Sequence, residues 1–433
     1  MLSIRRTRFE VVTAASLVAL FTACTAGATP APQGKALRIG VDLPLSGPEI
    51  RAATPAFDGI KFFVQTHPTV GGYRVELVTA DDAAEPARGV SNVDRFLSDS
   101  TVVAMIGPFD SAVARKEIPV ANVAGFAMVS PATSNQCLTR DTFLPPLLNP
   151  AHTAITCKQA GLPSAKDLRP MGTNNFFRMT ATDDLQGAAA ADFAFGTLHL
   201  LRVAVLSDHE SYGQGLASAF SARLTRLGGT VVGRLDTAGT EVSSFLARAK
   251  ADGAQAVYYG GASDTGCAIR AQMSTLFDPG EATPFLGADG VAHDPACVRA
   301  AGSNSAGIYA TVPFSDPSAL PGATSTITAF RNAFGSTSAY GPYTMLAYDA
   351  MAVMYAALDR AIQAGSGAPP GRADVLAQVA QTSALAGVTG TLGFDPNGDT
   401  TNRVITVFEA PAGDGRAPWK PAGKVDYGAR LPY

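Results

Sequence analysis

The chain has 433 residues, of which 46% are hydrophobic and 16% charged, with a formal net charge of −3. That balance leaves no basic footprint for a nucleic-acid partner, and the length exceeds what one hydrophobic core usually organises, so two lobes are expected. The five cysteines show no CxxC spacing, which argues against zinc or dithiol redox chemistry.

Residues 1–23 read as an export signal. Arg5, Arg6 and Arg8 make a positive start, Val11 to Phe21 an apolar run too short to span a bilayer comfortably, and Phe21-Thr22-Ala23-Cys24 a small-residue cleavage site. The pattern resembles a bacterial lipoprotein signal, in which Cys24 becomes the lipidated first residue; Phe21 stands where that motif usually has Leu. Residues 24–35, rich in Ala, Thr, Pro and Gly, then form a lipid-anchored flexible tether. The mature protein is expected outside the cytoplasm, on the outer face of the cell membrane or in the periplasm.

Beyond the tether, short apolar runs alternate with helical stretches. Strands are predicted at 37–43, 74–80, 102–107 and 126–130, and, after a Pro-rich insert from Cys137 to Asn175, at 202–207, 230–235, 256–261, 284–289 and 308–313. Helical periodicity is clear from Gly215 to Leu227, where Leu216, Ala219, Phe220, Leu224 and Leu227 share a face. Helices are also predicted at 343–364 and 373–382, followed by a hairpin around FDPNGDTTN. The fold class is therefore α/β, with two doubly wound sheets in succession. An insert as long as 137–175 in a compact domain is either functional or pinned. Leaving Cys24 aside, four cysteines remain in an exported chain. Two disulfides follow, and of three connectivities the sequential one, Cys137–Cys157 with Cys267–Cys297, is preferred.

Enzyme motifs fail on inspection. Gly213-Gln214-Gly215 sits between a strand and a helix, but the third glycine of a dinucleotide fingerprint is Ser218. Asp395-Pro396-Asn397-Gly398-Asp399 starts like a calcium loop and then has Thr400 and Thr406 where Gly and Glu are needed. The five histidines lack metal-ligand spacing, and no GxSxG elbow supports a triad. A binding site demands less. A zwitterion needs hydroxyls and backbone N–H groups for its carboxylate, a carboxylate for its ammonium and an apolar wall. Strand ends offer Ser111 and Ser134, Asp289, and Tyr212 with Tyr343 in those roles. Each has a plainer structural role open to it as a turn, cap or core residue.

The order and spacing of PLSG (44–47), DD (81–82), IGPFDS, VSPATSN, SYGQGLA (211–217), VYYGG (257–261), LGADGV (286–291) and GPYTMLAYDA (341–350) resemble the leucine/isoleucine/valine-binding proteins of branched-chain amino-acid ABC transporters, type I periplasmic binding proteins. The resemblance implies two lobes joined by a multi-crossing hinge: 36–180 and 314–390 in lobe 1, 181–313 and 391–433 in lobe 2. It implies that Ser111, Ala132 (through its backbone), Thr133 and Ser134 hold a ligand carboxylate, that Asp289 takes the ammonium, and that Tyr212 and Tyr343 line the cleft. Asp110 and Asp264 stand near the same strand ends as pocket acids or helix caps. Ala52, Ala53, Ala262 and Ser263 occupy places where some members have aromatics, so the ligand is expected to be larger or more polar than leucine. The implied protein is a monomeric, lipid-anchored solute-binding protein without cofactor or metal, delivering a small amino-acid-like ligand to an ABC permease; a sensory lipoprotein of the same fold is the alternative.

Overall fold

The computed structural model describes residues 36–277, 283–302, 305–335, 340–413, 415 and 417–428, apart from the side chains of Ser263 and Asp264. Cys24 and the tether lie outside the described residues.

The first sheet takes β1 (Ala36–Leu43), β2 (Thr69–Val70), β3 (Tyr73–Asp81), β4 (Val102–Ile106) and β5 (Ala127–Ser130). The insert carries its own ribbon of β6 (Thr142–Leu144) with β7 (Ile155–Thr156), and β8 (Phe176–Arg178) returns to the sheet, giving the order β2-β3-β1-β4-β5-β8. Every pairing is parallel except β2 with β3. A parallel sheet is covered on both faces, so its central strands are largely apolar, and β4 (VVAMI) is buried at all its residues. Helix α1 (Ile50–Thr66) packs on one face, burying Ala53, Ala56, Ile60 and Phe63 with Ile39 and Val41 of β1. Helices α2 (Pro86–Ser98) and α3 (Ser111–Val123) cover the other, where Phe96, Ala114 and Ile118 meet Met105 and Met128.

After the single turn α4 (Ala165–Leu168), α5 (Asp183–Gly196) opens the second lobe. Its sheet contains β9 (Arg202–Ser207), β10 (Thr230–Asp236), β11 (Ala256–Gly260), β12 (Phe285–Gly287) and β13 (Ile308–Val312), all parallel and in the order β10-β9-β11-β12-β13. Helices α5 and α6 (Ser211–Arg226) cover one face; α7 (Ser243–Ala251), α8 (Ser263–Leu276) and α9 (Pro295–Ala301) cover the other. The chain then returns to the first lobe with α10 (Ala323–Phe334), α11 (Thr344–Ala364) and α12 (Arg372–Ala380), α11 lying along α1 and α12 against β4 and β5. A small hairpin of β14 (Leu385–Gly387) and β15 (Gly390–Leu392) precedes a third crossing, after which β16 (Val404–Glu409) pairs antiparallel with β13 and β17 (Lys420–Asp426) antiparallel with β16, extending the second sheet. The expected hairpin at FDPNGDTTN is a tight turn closed by one bridge, Phe394 to Thr400. Asp395 there accepts the Asn397 and Asp399 N–H groups and pairs with Arg403.

Covalent and ionic links brace this framework. Disulfides join Cys137 to Cys157, which pins the insert, and Cys267 of α8 to Cys297 of α9. At the hinge, fully buried Arg178 at the end of β8 donates to Asp399 (2.7 Å) and to the Asn135 carbonyl (2.7 Å). Arg140 reaches both Asp399 and Asp184 at 3.1 Å, so one network links the first crossing to the third. Burial alone would raise the Asp399 pKa, but the two guanidinium groups outweigh it and hold the carboxylate below its ordinary range.

Candidate functional site

In a doubly wound sheet the ligand crevice lies at the carboxyl ends of two strands whose connections leave on opposite faces. In the first sheet that place is between β1, which feeds α1, and β4, which feeds α3. In the second it lies between β9, which feeds α6, and β11, which feeds α8. Of the predicted residues, Asp110 and Ser111 follow β4, Tyr212 follows β9 and Asp264 follows β11; Ala132, Thr133 and Ser134 come from the loop after β5, Asp289 from the end of β12 and Tyr343 from the start of α11.

Ser111 is the first residue of α3 and is buried, its Oγ accepting the Asn135 N–H at 3.3 Å. Asp110, one of the two ambiguous acids, caps α3: its Oδ1 accepts the N–H groups of Ala112 (2.6 Å) and Val113 (3.1 Å). Asp264 lies on α8, its side chain outside the described set. In the loop after β5, Ser130 Oγ donates to the Pro108 carbonyl and accepts the Thr133 N–H and hydroxyl. Thr133 therefore spends its hydroxyl within the loop. Ala132 and Ser134 are buried beside it, and the Ser134 carbonyl accepts the N–H of Asp183 at 2.9 Å. Asn135 Nδ2 crosses to the second lobe and donates to the Ser211 carbonyl at the start of α6. Gly213 and Gly215, read in the sequence as an incomplete fingerprint, serve close approach. A Cβ at Gly215 would stand 2.9 Å from Asp183 Oδ2.

Asp289, just past β12, is the centre of the cluster. Its Oδ1 accepts from Gln186 Nε2 (2.6 Å) and the Tyr212 hydroxyl (2.7 Å), and its Oδ2 from the Tyr343 hydroxyl. Tyr343 precedes α11 of the first lobe, so this contact spans the cleft. Burial raises the Asp289 pKa, and the three donors offset only part of that; burial likewise pushes both tyrosines well above their ordinary value. Phe109 and Phe314 pack on the Tyr343 ring at 4.9 and 5.9 Å, forming the apolar wall.

Three members of this cluster were not singled out in the sequence. Gln186 of α5 orients Asp289 and also donates to the Thr311 carbonyl, while its Oε1 accepts nothing. Asp183, the first residue of α5, is fully buried, and neither carboxylate oxygen has a partner in hydrogen-bond geometry. Burial lifts its pKa well above the carboxylate range, countered in part by the neighbouring Ser134 hydroxyl and reinforced by Asp289. The Tyr258 hydroxyl is also buried without a partner. The available signal was the polar DDLQG at the head of an otherwise Ala-rich helix. The surface depressions of about 480 Å³ at Arg115, Lys116 and Pro163 and about 380 Å³ at Leu45, Arg88 and Asn92 contain none of the cluster. Among the described residues, no group of three or more His, Cys, Asp or Glu side chains could hold a metal ion.

The serine hydroxyls and Tyr343 thus come from the first lobe, and Asp289, Gln186 and Tyr212 from the second, an arrangement of the kind a cleft-type solute-binding protein has. Residues 36–415 match the model of the periplasmic binding protein family, and the chain belongs to that family. An amino acid binding protein of Pseudomonas aeruginosa is 27% identical over 343 residues, covering 78% of this chain and 80% of that one. A Leu/Ile/Val-binding protein homolog of Brucella melitensis is 27% identical over 381 residues, covering 86% and 91%. Among solved structures, the leucine binding protein LivK of Thermotoga maritima superposes with a TM-score of 0.73 at 25% identity, covering 90% of this chain and 99% of that one. By name these relatives are amino-acid-binding proteins, the Brucella one for leucine, isoleucine and valine and the Thermotoga one for leucine, and the family is one of periplasmic, extracytoplasmic binding proteins.

Proposed function

We propose that this protein binds a small amino-acid-like ligand between its lobes and hands it to an ABC transporter permease. The observation that carries this reading is Asp289, a buried carboxylate held by Gln186, Tyr212 and Tyr343. The hydroxyls of Ser111 and Ser134 and the backbone of Ala132 take the ligand carboxylate; Asp289 and Asp183 take the ammonium, which supplies the donors that Asp183 lacks. Lobe 1 comprises 36–180 and 314–390, lobe 2 comprises 181–313 and 391–433, and closure between them sets affinity through the population of the closed state. The protein acts as a monomer, tethered through lipid on Cys24. A thermal-shift screen of amino acids tests the ligand class. A true ligand at a hundred times its dissociation constant stabilises the fold by about 2.7 kcal/mol, and a screen in which no amino acid raises the melting temperature overturns it. Cys24→Ser tests the anchor, and a variant still found in the membrane fraction refutes lipidation.

A further inference from the structure

The seam beside the Asp289 cluster is lined with carboxylates from both lobes. Glu49, at the N-terminus of α1, makes no capping hydrogen bond and is half-buried; the charges acting on it come from Asp110, Asp82, Asp208 and Asp289. Asp110 and Asp208 are fixed in place by backbone N–H groups, the former by Ala112 and Val113, the latter by Glu210 (3.0 Å) and Ala262 (3.2 Å). Asp82 is an independent sign of a missing partner. It is fully buried, its Oδ1 accepts the Ala84 N–H, and its Oδ2, in the field of Asp42, Asp110 and Asp81, accepts nothing. Among the described residues, none of Glu49, Asp82, Asp110 and Asp208 stands in an ion pair, and Arg115 is the cation that acts on Asp110.

We propose that this seam is a second recognition site, for an ammonium or guanidinium group at the far end of the ligand, so that the protein selects a basic amino acid over leucine. The inference rests on the amino-acid reading above and extends it. One α-ammonium is engaged by Asp289 and Asp183, and the seam carboxylates remain to be neutralised. An isobutyl side chain closing over them would remove their water and offer no donors, which is costly for a charged group. A distal cation makes charge-assisted bonds instead. Its aliphatic stem has the Phe109, Phe314 and Tyr343 rings to pack on. Burial first and repulsion from neighbouring carboxylates second push Glu49 up to about 8 and Asp82 to about 7, and burial, opposed by the Glu210 and Ala262 N–H groups, pushes Asp208 to about 6. The groups facing this set include Asp42, Asp81, Glu117, Glu210, Asp289 and Arg115. A cation entering the seam therefore expels protons.

The test is calorimetric titration of the mature protein with arginine, its neutral isostere citrulline, and leucine, in two buffers of different ionisation enthalpy. The expected result is arginine bound about tenfold or more tighter than citrulline and leucine, the size of one charge-assisted contact, with proton release on arginine alone. In Glu49→Gln, whose side chain makes no bond that the fold depends on, the preference for arginine over citrulline falls towards unity. Leucine bound tightly with arginine excluded overturns the inference and leaves the amino-acid reading standing. An arginine preference that Glu49→Gln and Asp208→Asn both leave intact overturns the assignment to this seam. Failure of all three compounds to bind overturns the amino-acid reading and this inference with it.

Discussion

Replacing Asp289 by Asn separates a ligand-binding carboxylate from one that only holds the lobes together. In the free protein, Asp289 accepts three hydrogen bonds, from Gln186, Tyr212 and Tyr343. Asparagine keeps one acceptor oxygen, and its amide N–H₂ group can be met by a tyrosine hydroxyl that turns its proton away. The loss is therefore about one neutral hydrogen bond, about 1 kcal/mol, and it is offset by no longer burying a carboxylate whose pKa burial has already raised. The apo melting temperature should move by only a few degrees. Binding is different, because the variant loses a charge-assisted contact worth about 1.5–3 kcal/mol, which raises the dissociation constant about ten- to a hundredfold. Titration calorimetry with the tightest amino acid from the screen, beside apo melting curves, reads both effects. An Asp289→Asn protein that melts far lower yet binds like the wild type would refute the reasoning and make Asp289 a structural latch.

Asp399→Asn should cost about 3–5 kcal/mol in urea unfolding, because it leaves the buried Arg178 and Arg140 facing each other with their shared counter-charge removed; a loss under about 1 kcal/mol would show that the hinge network is dispensable. The same pair predicts acid lability. Asp399 is held below its ordinary pKa, so its contribution is complete above pH 3.8, the unfolded value, and is lost as pH falls through the lower folded value. Asp82 has the opposite sign: raised from 3.8 to about 7, it contributes fully below the unfolded value and the contribution is lost as pH rises through about 7. Melting curves should therefore show the wild type losing stability relative to Asp82→Asn across that window, and parallel curves would count against the shift. Replacing Cys137 and Cys157 together by Ser, across a separation of 20 residues, should cost about 3 kcal/mol, and an unchanged denaturation midpoint would contradict the pinning role of that bridge.

Much of this architecture is legible along the chain. Apolar runs such as VVAMI and RVAVLS are strands because they are buried on both faces, and their lengths and punctuation survive in any environment that covers them. Ser111, Tyr212, Asp289 and Tyr343 stand out in short motifs because each sits within two residues of a strand end or at a helix start, and Ser134 because it lies in the short loop after β5. The C-terminal strands β16 and β17 were not read from the sequence, because their antiparallel place beside β13 depends on a third crossing that no local pattern announces. Nor could local pattern tell that Thr133 turns its hydroxyl to Ser130, or decide between the two roles open to Asp110, which caps α3. Gln186 and Asp289 are 103 residues apart, and Glu49 meets Asp208 only when two lobes face each other. Hydrophobic periodicity is a property of neighbours in sequence and determines the layers. The charge of the cleft is set by groups that only the closed packing of both lobes brings within Coulombic range, so the tertiary structure alone decides it.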